Sequence, residues 1–170
     1  MHRVSATASL APWSSGDLPL LERLMGDPRM TEHLGGPESP AKLHARQGQY
    51  EGLEGGDRMF KIVDGVTGAG VGSVGFWTQE WRDEQVYEIG WMVVPEFQGR
   101  GIAVAATGQA IELARRDDKH HFMHAFPNVD NAPSNAICRK LGFELLEAYE
   151  FEFPKGHFMT GNDWRLDLRA

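Results

Sequence analysis

The sequence predicts a single mixed α/β domain over residues 1–170, with a mostly antiparallel sheet of about seven strands flanked by about four helices. Three observations predict it. Apolar periodicity is helical early in the chain and turns strand-like after Gly55-Gly56. A strand–turn–helix–strand unit stands at the centre and forces parallel pairing of the strands on either side of its helix. No internal repeat, linker or low-complexity tract divides the chain, whose 170 residues, 41% of them hydrophobic, suffice for one core.

Alternation over Val4–Leu10 reads as a first strand. Asp17 caps a helix through Met25 with Leu20, Leu21 and Leu24 on its apolar face and Gly26 as its stop. Ser39-Pro40 opens a second helix carrying Leu43 and Tyr50. Met59–Val63, Gly70–Trp77 and Gln85–Val94 form an antiparallel meander. Arg100–Arg116 is the longest helix, His121–Phe126 a short strand, and Ala132–Leu141 a short helix ended by Gly142. Leu145–Phe153 and Asp163–Leu168 are the closing strands.

Composition narrows the function classes. A net charge of −7 argues against a nucleic-acid surface, which normally carries a basic stripe. The lone Cys138 rules out an internal disulfide framework and fits a reducing cytosol. No apolar run approaches the ~20 residues of a membrane span, and the start MHRVSATASLAPW lacks the apolar stretch of a secretory signal. The expectation is a cytoplasmic protein without membrane or nucleic-acid partners.

The central turn carries the chemistry. The strand Gln85–Val94 ends at Pro95, and Gln98-Gly99-Arg100-Gly101-Ile102-Ala103 leads into the long helix. A helix start leaves backbone N–H groups without partners and carries roughly half a positive charge. Gly99 and Gly101 lack side chains, so an anion can approach those amides. The turn lacks the Gly-Lys-Ser/Thr ending of a nucleotide-triphosphate loop and the third glycine of a dinucleotide fingerprint. On these residues alone, a pyrophosphate cradle and a plain tight turn both stand.

Gln98–Ala103 resembles the Gln/Arg-x-x-Gly-x-Gly/Ala signature of the GCN5-related N-acetyltransferases (GNAT). Glu88-Ile89-Gly90-Trp91-Met92-Val93 and Pro95-Glu96 look like the strand before it. Asn131-Ala132-Pro133-Ser134 and Lys140-Leu141-Gly142-Phe143 resemble the second family motif at its expected spacing. Leu18–Leu24 and Arg29–Gly36 look like the subgroup related to ribosomal-protein N-terminal acetyltransferases. The resemblance spans nearly the whole chain. It implies a GNAT-like fold with one splayed parallel pair, formed by the strand before the turn and His121–Phe126. It implies acetyl-CoA as donor and an amine as acceptor. The pyrophosphate would sit on the amides of Gly99, Arg100, Gly101 and Ala103, beside Gln98 and Ile102. Backbone of Met92, Val93 and Val94 would meet the pantetheine arm, and Asn131 and Ser134 would contact that arm near the thioester.

Glu88 is the candidate base. It lies on a strand apolar on both faces, where a carboxylate is desolvated and rises toward the range useful for taking a proton from an amine. An ion pair with an arginine on a neighbouring strand would account for it equally well. Asn131 reads as an N-cap whatever else it does, and Gly142 as a helix stop with Phe143 packing back. Cys138 stands where many family members carry a tyrosine that protonates the departing thiolate. It is either a proton donor or a small buried residue.

His120, His121 and His124 do not make a metal site, because His120 and His124 would stand ~13 Å apart on a strand with His121 on the other face. The acceptor pocket is expected among Met30–Gly36, Trp77–Glu84 and Phe153–Gly161. Trp81 among Glu80, Asp83 and Glu84 reads as an aromatic, acidic lip or as a surface covered by a second subunit of a homodimer. A catalytically inactive acyl-CoA sensor is the rival from another class.

Overall fold

In chain order the elements are β1 (Ala8–Pro12), α1 (Leu18–Met25), α2 (Pro40–Glu51), β2 (Arg58–Asp64), β3 (Gly70–Trp81), β4 (Glu84–Val93), α3 (Ile102–Asp117), β5 (Phe122–Ala125), α4 (Ala132–Lys140), β6 (Glu144–Glu152) and β7 (Phe158–Asp167). The computed structural model describes residues 7–153 and 155–170. Seven strands form one sheet in the order β1-β2-β3-β4-β5-β7-β6, antiparallel except for β4 and β5. Among the described residues no helix is long and apolar enough to cross a membrane.

The expected elements are present, with three shifts. The strand expected at Val4–Leu10 begins outside the described residues, and its described part pairs as Ala8–Pro12 with β2. The strand β3 runs past Trp77 to Trp81, because its ladder with β4 continues to the pair Trp81↔Glu84. The strand β7 starts at Phe158, five residues before the expected Asp163, because it pairs with all of β6. Within the stretch Phe153–Gly161, residues Phe158–Gly161 are therefore strand.

Local chemistry explains the helix ends. Ser39 caps α2 by accepting from Lys42 N at 3.3 Å, with Pro40 in the first turn. Asp17 occupies the N-cap position of α1 but turns its carboxylate away from the helix, accepting from Ser14 N (2.8 Å) and Lys61 Nζ (2.9 Å). Burial pushes its carboxyl up, but Lys61 and Ser14 outweigh that and hold it below the usual range. The helix α4 ends in a Schellman motif: Phe143 N donates to Cys138 O and Gly142 N to Arg139 O, and the Phe143 ring is buried.

The two sheet faces are used differently. One carries Phe76, Tyr87, Ile89, Met123, Trp164 and Leu166 into the core. The helices α3 and α4 cover it: Lys119 N, just past α3, donates to Tyr87 Oη, and Arg139 of α4 lies over Trp164. Ser73, Trp77, Glu88, Met92 and His124 alternate onto the opposite face. There Lys61, paired with Asp17 at the head of α1, fixes that helix over one end. The other end is left for the site.

Candidate active site

At the turn, Pro95–Phe97 form a single 3-10 turn, and Gly99 (φ +74°) and Gly101 (φ +79°) take left-handed backbone before α3 starts. That conformation strains any residue with a Cβ, which is why this turn uses glycine. The first bond into the helix is Ala105 N to Gly101 O, and no side chain caps α3. Among the described residues, the N–H groups of Gly99 through Val104 have no protein acceptor. Several convergent free amides at the positive end of a 16-residue helix form an anion cradle. The Arg100 side chain folds away, donating to Glu96 O at 2.9 Å and lying over the Phe97 ring. Gln98 Nε2 donates to Val93 O at 2.8 Å and ties the turn to β4.

Upstream of the turn, β4 loses its parallel neighbour. Pairing with β5 is confined to Tyr87↔Met123 and Glu88↔His124. Val94 N donates to Val71 O, so alternation along the ladder commits the backbones of Met92, Gly90 and Glu88 to β3 as well. The backbones of Ile89, Trp91 and Val93 point to the β5 side, where the ladder has ended. Of the Met92, Val93 and Val94 backbone expected along a ligand arm, Met92 and Val94 are bonded to β3 and Val93 O accepts from Gln98; the groups left open are the Val93 N–H, both groups of Trp91 and the Ile89 carbonyl, the Ile89 N–H closing the Glu88↔His124 bridge. The indole nitrogen of Trp91 is buried and without a partner.

Glu88 sits at the point of splay. Burial raises its carboxyl above the usual carboxylate range, partly offset by Gln79 Nε2 at 3.4 Å and by the nearby His124. Among the described residues no lysine or arginine is within ion-pair distance of it. The structural ion pair allowed by sequence is absent, leaving a desolvated carboxylate held beside an open strand edge.

A buried polar cluster continues from Glu88 across the face. His124 Nδ1 lies 2.6 Å from Asp163 Oδ1, and both side chains are almost wholly buried. Asp163 Oδ2 accepts from Trp81 Nε1 at 3.0 Å. Burial pushes the Asp163 carboxyl up, but the bonds from His124 and Trp81 hold it below the usual range. Tyr149 borders the cluster, its phenol pushed up to about 12 by burial and by the charges of Glu88 and Asp163.

Trp81 is not an exposed lip. Two strands lie between β3 and β7, about 14 Å of flat sheet, so a contact from Trp81 to Asp163 requires the β3–β4 hairpin to curl over the face. Its ring packs on Phe126 (4.8 Å) and Tyr149 (5.1 Å). The hairpin turns on Arg82 and Asp83, both with positive φ as a two-residue primed turn requires, and Arg82 pairs with Glu147 of β6. Trp81 thus roofs the cluster and is not available as a subunit-pairing patch.

On the other side, Asn131 Oδ1 accepts from Ser134 N at 3.2 Å, the expected cap of α4. Cys138 has no exposure at all, and burial pushes its thiol up to about 12. So weak and enclosed an acid is a core residue and a poor donor to a thiolate. Sequence reasoning passed over Asn135, whose amide donates to Asn128 O and Asn131 O and accepts from Asn162 and Trp164 Nε1. It locks α4 onto β7. The histidines part company: His120 bonds Thr78, His121 pairs with Asp167, and His124 with Asp163.

Comparison with known proteins bears on this arrangement. Residues 9–144 match the family model described as the acetyltransferase (GNAT) domain. The N-acetyltransferase YnaD of Bacillus subtilis, itself uncharacterised, is 30% identical over 81 residues. That match spans 48% of this chain and 45% of YnaD, less than half of either. The spermidine N-acetyltransferase of Vibrio cholerae, solved with CoA and spermine, superposes with a TM-score of 0.79 at 16% identity over 95% of each chain. The acetyltransferase of Salmonella typhimurium that modifies the N-terminal serine of ribosomal protein L7/L12 superposes with 0.77 at 21% identity over 97% of each. Superposition over 95% or more of each chain shows that the fold is shared. A sheet that parts at Glu88, a glycine turn of free amides and a family model covering most of the sequence lead to one assignment: the chain belongs to the GNAT acetyltransferase family.

Proposed function

We propose that this protein transfers an acetyl group from acetyl-CoA to a primary amine, by direct attack of the amine on the thioester. The observation that carries the reading is the continuity of three features on one strand and its turn. Glu88 marks the splay, the Ile89 carbonyl, Trp91 and the Val93 N–H offer an open edge beyond it, and the free amides of Gly99–Val104 follow. A pyrophosphate on those amides and a pantetheine arm along Ile89, Trp91 and Val93 would bring the thioester toward the gap beside Glu88. Asn131 and Ser134, at the head of α4, would border the arm from the other side of the gap.

In this reading Glu88 takes a proton from the acceptor's ammonium, freeing the nitrogen lone pair. The raised carboxyl suits that task, because a proton acceptor works best when its own value approaches the working pH. The V. cholerae neighbour is named for a polyamine acceptor and the S. typhimurium neighbour for a protein N-terminus. Both acceptor classes therefore belong in the test. The same reading sets the protein in the cytoplasm, where the free Cys138 thiol fits a reducing medium.

The test is a panel of small amines, including spermidine, and N-terminal peptides, with acetyl-CoA and continuous detection of released thiol. Amine-dependent release supports the proposal. Tight binding of acetyl-CoA with no release from either class would favour the acyl-CoA sensor instead. Absence of any thermal shift with CoA would sink both.

A further inference from the structure

The pair His124–Asp163 is more heavily built than a fold requires. Asp163 is 1% exposed, yet among the described residues its oxygens meet only ring N–H groups, the imidazole of His124 and the indole of Trp81. A carboxylate so enclosed is costly unless each oxygen is satisfied, and here both are. The Nδ1–H of His124 is committed to Asp163, which leaves the lone pair on Nε2, and among the described residues no protein group bonds Nε2. The ring is held flat against Phe126, with centroids 5.6 Å apart and planes 14° apart. Asp–His pairing of this kind fixes the imidazole tautomer and stabilises the imidazolium once formed.

His124 also stands directly opposite Glu88 in the last registered pair before the sheet parts. Adjacent strands are about 4.8 Å apart, so the two side chains lie side by side on one face, but neither ring nitrogen of His124 is within ion-pair distance of the Glu88 carboxylate, and a proton between them would cross one water. Other titratable or charged groups face the pair from each neighbouring element. They are Tyr149 and Glu147 from β6, Arg165 from β7 and Arg82 from the β3–β4 turn. Arg82 is drawn to Glu147 and Arg165 to Glu144, so neither occupies the space between His124 and Glu88.

We infer that His124, oriented by Asp163, is a positioning and relay residue that takes from Glu88 the proton Glu88 removes from the acceptor's ammonium. The inference rests on the reading of Glu88 as the base. The proton balance shows what the relay achieves. The ammonium loses one proton to Glu88, which passes it through one intervening water to Nε2 of His124 and returns to carboxylate. The nitrogen attacks the thioester carbonyl and a C–N bond forms. The adduct gives its second N–H proton to Glu88, the C–S bond breaks with its electron pair on sulfur, and Glu88 protonates the thiolate. The His124 imidazolium then releases its proton to solvent. Asp163 stays ionised throughout, and one carboxylate handles two protons in a turnover.

The test uses His124→Gln, Asp163→Asn, Glu88→Gln and the double variant Glu88→Gln/His124→Gln in the full chain. Each of the first two is expected to lower kcat by about 10²-fold and to remove the same ionisation from the pH profile of kcat/KM, with KM for acetyl-CoA unchanged. The double variant is expected to lose no more than Glu88→Gln alone, because His124 acts through Glu88. Additive losses, or an unchanged pH profile, overturn the inference. A second measurement needs no activity and no loss of His124: the 15N shifts of its ring in the unaltered protein. A neutral ring protonated at Nδ1 and bare at Nε2 supports the relay, and the opposite tautomer overturns it. If no amine supports turnover in the unaltered protein, the acetyltransferase reading fails on its own, and the tautomer still decides on His124.

Discussion

Glu88→Gln separates catalysis from stability, because the two respond in opposite directions. The amide keeps the shape of the side chain and removes only its charge and proton affinity. Loss of a positioned base costs ~10²–10⁴-fold in kcat, about 3–5 kcal/mol of barrier at ~1.4 kcal/mol per decade. Little folding energy is lost with it, since among the described residues the one hydrogen bond to the carboxylate is long, 3.4 Å from Gln79. A bond of that kind nets at most about 1.5 kcal/mol, and a glutamine can still accept from Gln79. The folded-state carboxyl is raised, so the folded chain holds this proton more tightly than the unfolded chain. Below the ordinary carboxylate range both states are protonated and Glu88 carries no ionisation penalty. As pH climbs through that range to the raised value the penalty builds, and above it stays. Glu88→Gln is therefore expected to gain stability relative to the unaltered protein as pH rises from 4 to 8, while losing turnover. Urea melts across that interval and thiol-release kinetics measure both. A variant that keeps kcat within a few-fold, or that is less stable at neutral than at acid pH relative to the parent, would rule out Glu88 as a desolvated base.

Other expectations follow from single contacts. Gly99→Ala puts a Cβ on left-handed backbone with nothing within 4 Å of it, so the cost is strain alone, about 1–2 kcal/mol or roughly 2–8 °C in Tm, with a raised Kd for acetyl-CoA. Differential scanning fluorimetry with and without acetyl-CoA separates the two effects. Cys138→Ala is expected to keep kcat within a few-fold, and the native thiol to resist alkylating reagents until the protein unfolds, since it is buried and pushed up to about 12. Phe143→Ala removes the buried ring that closes the Schellman motif and is expected to cost about 3–5 kcal/mol, read as a Tm lower by roughly 6–20 °C.

The features legible in the sequence are those encoded within a few residues. The glycines of the Gln98–Ala103 turn, the Ser39 and Asn131 caps and the Gly142 stop each follow from a local backbone need, and each is found where expected. Glu88 was legible because strand alternation alone predicts its desolvation. The strand edge was not. Whether Met92 or Val93 faces the gap depends on the parity of the β3–β4 ladder, set by a two-residue turn at Arg82-Asp83 that lacks the glycine announcing such turns. The roof and relay were also hidden. His124–Asp163 and Trp81–Asp163 join residues 39 and 82 positions apart, and no period or spacing records a hairpin curling over three other strands. Asp17 shows the same limit at short range: its position reads as a cap, but Lys61 on a distant strand claims the carboxylate.

In the proposed reading, the turn before α3 and the parted edge of β4 together hold acetyl-CoA. Backbone amide shifts recorded during titration with acetyl-CoA test it most directly. Saturable shifts are expected, centred on Gly99–Val104 and on Trp91 and Val93, with the amides of Gly90 and Met92, already bonded to β3, and of Ile89, already bonded to β5, moving less. Saturable binding that leaves Gly99–Val104 unmoved, or no binding at all, would contradict it.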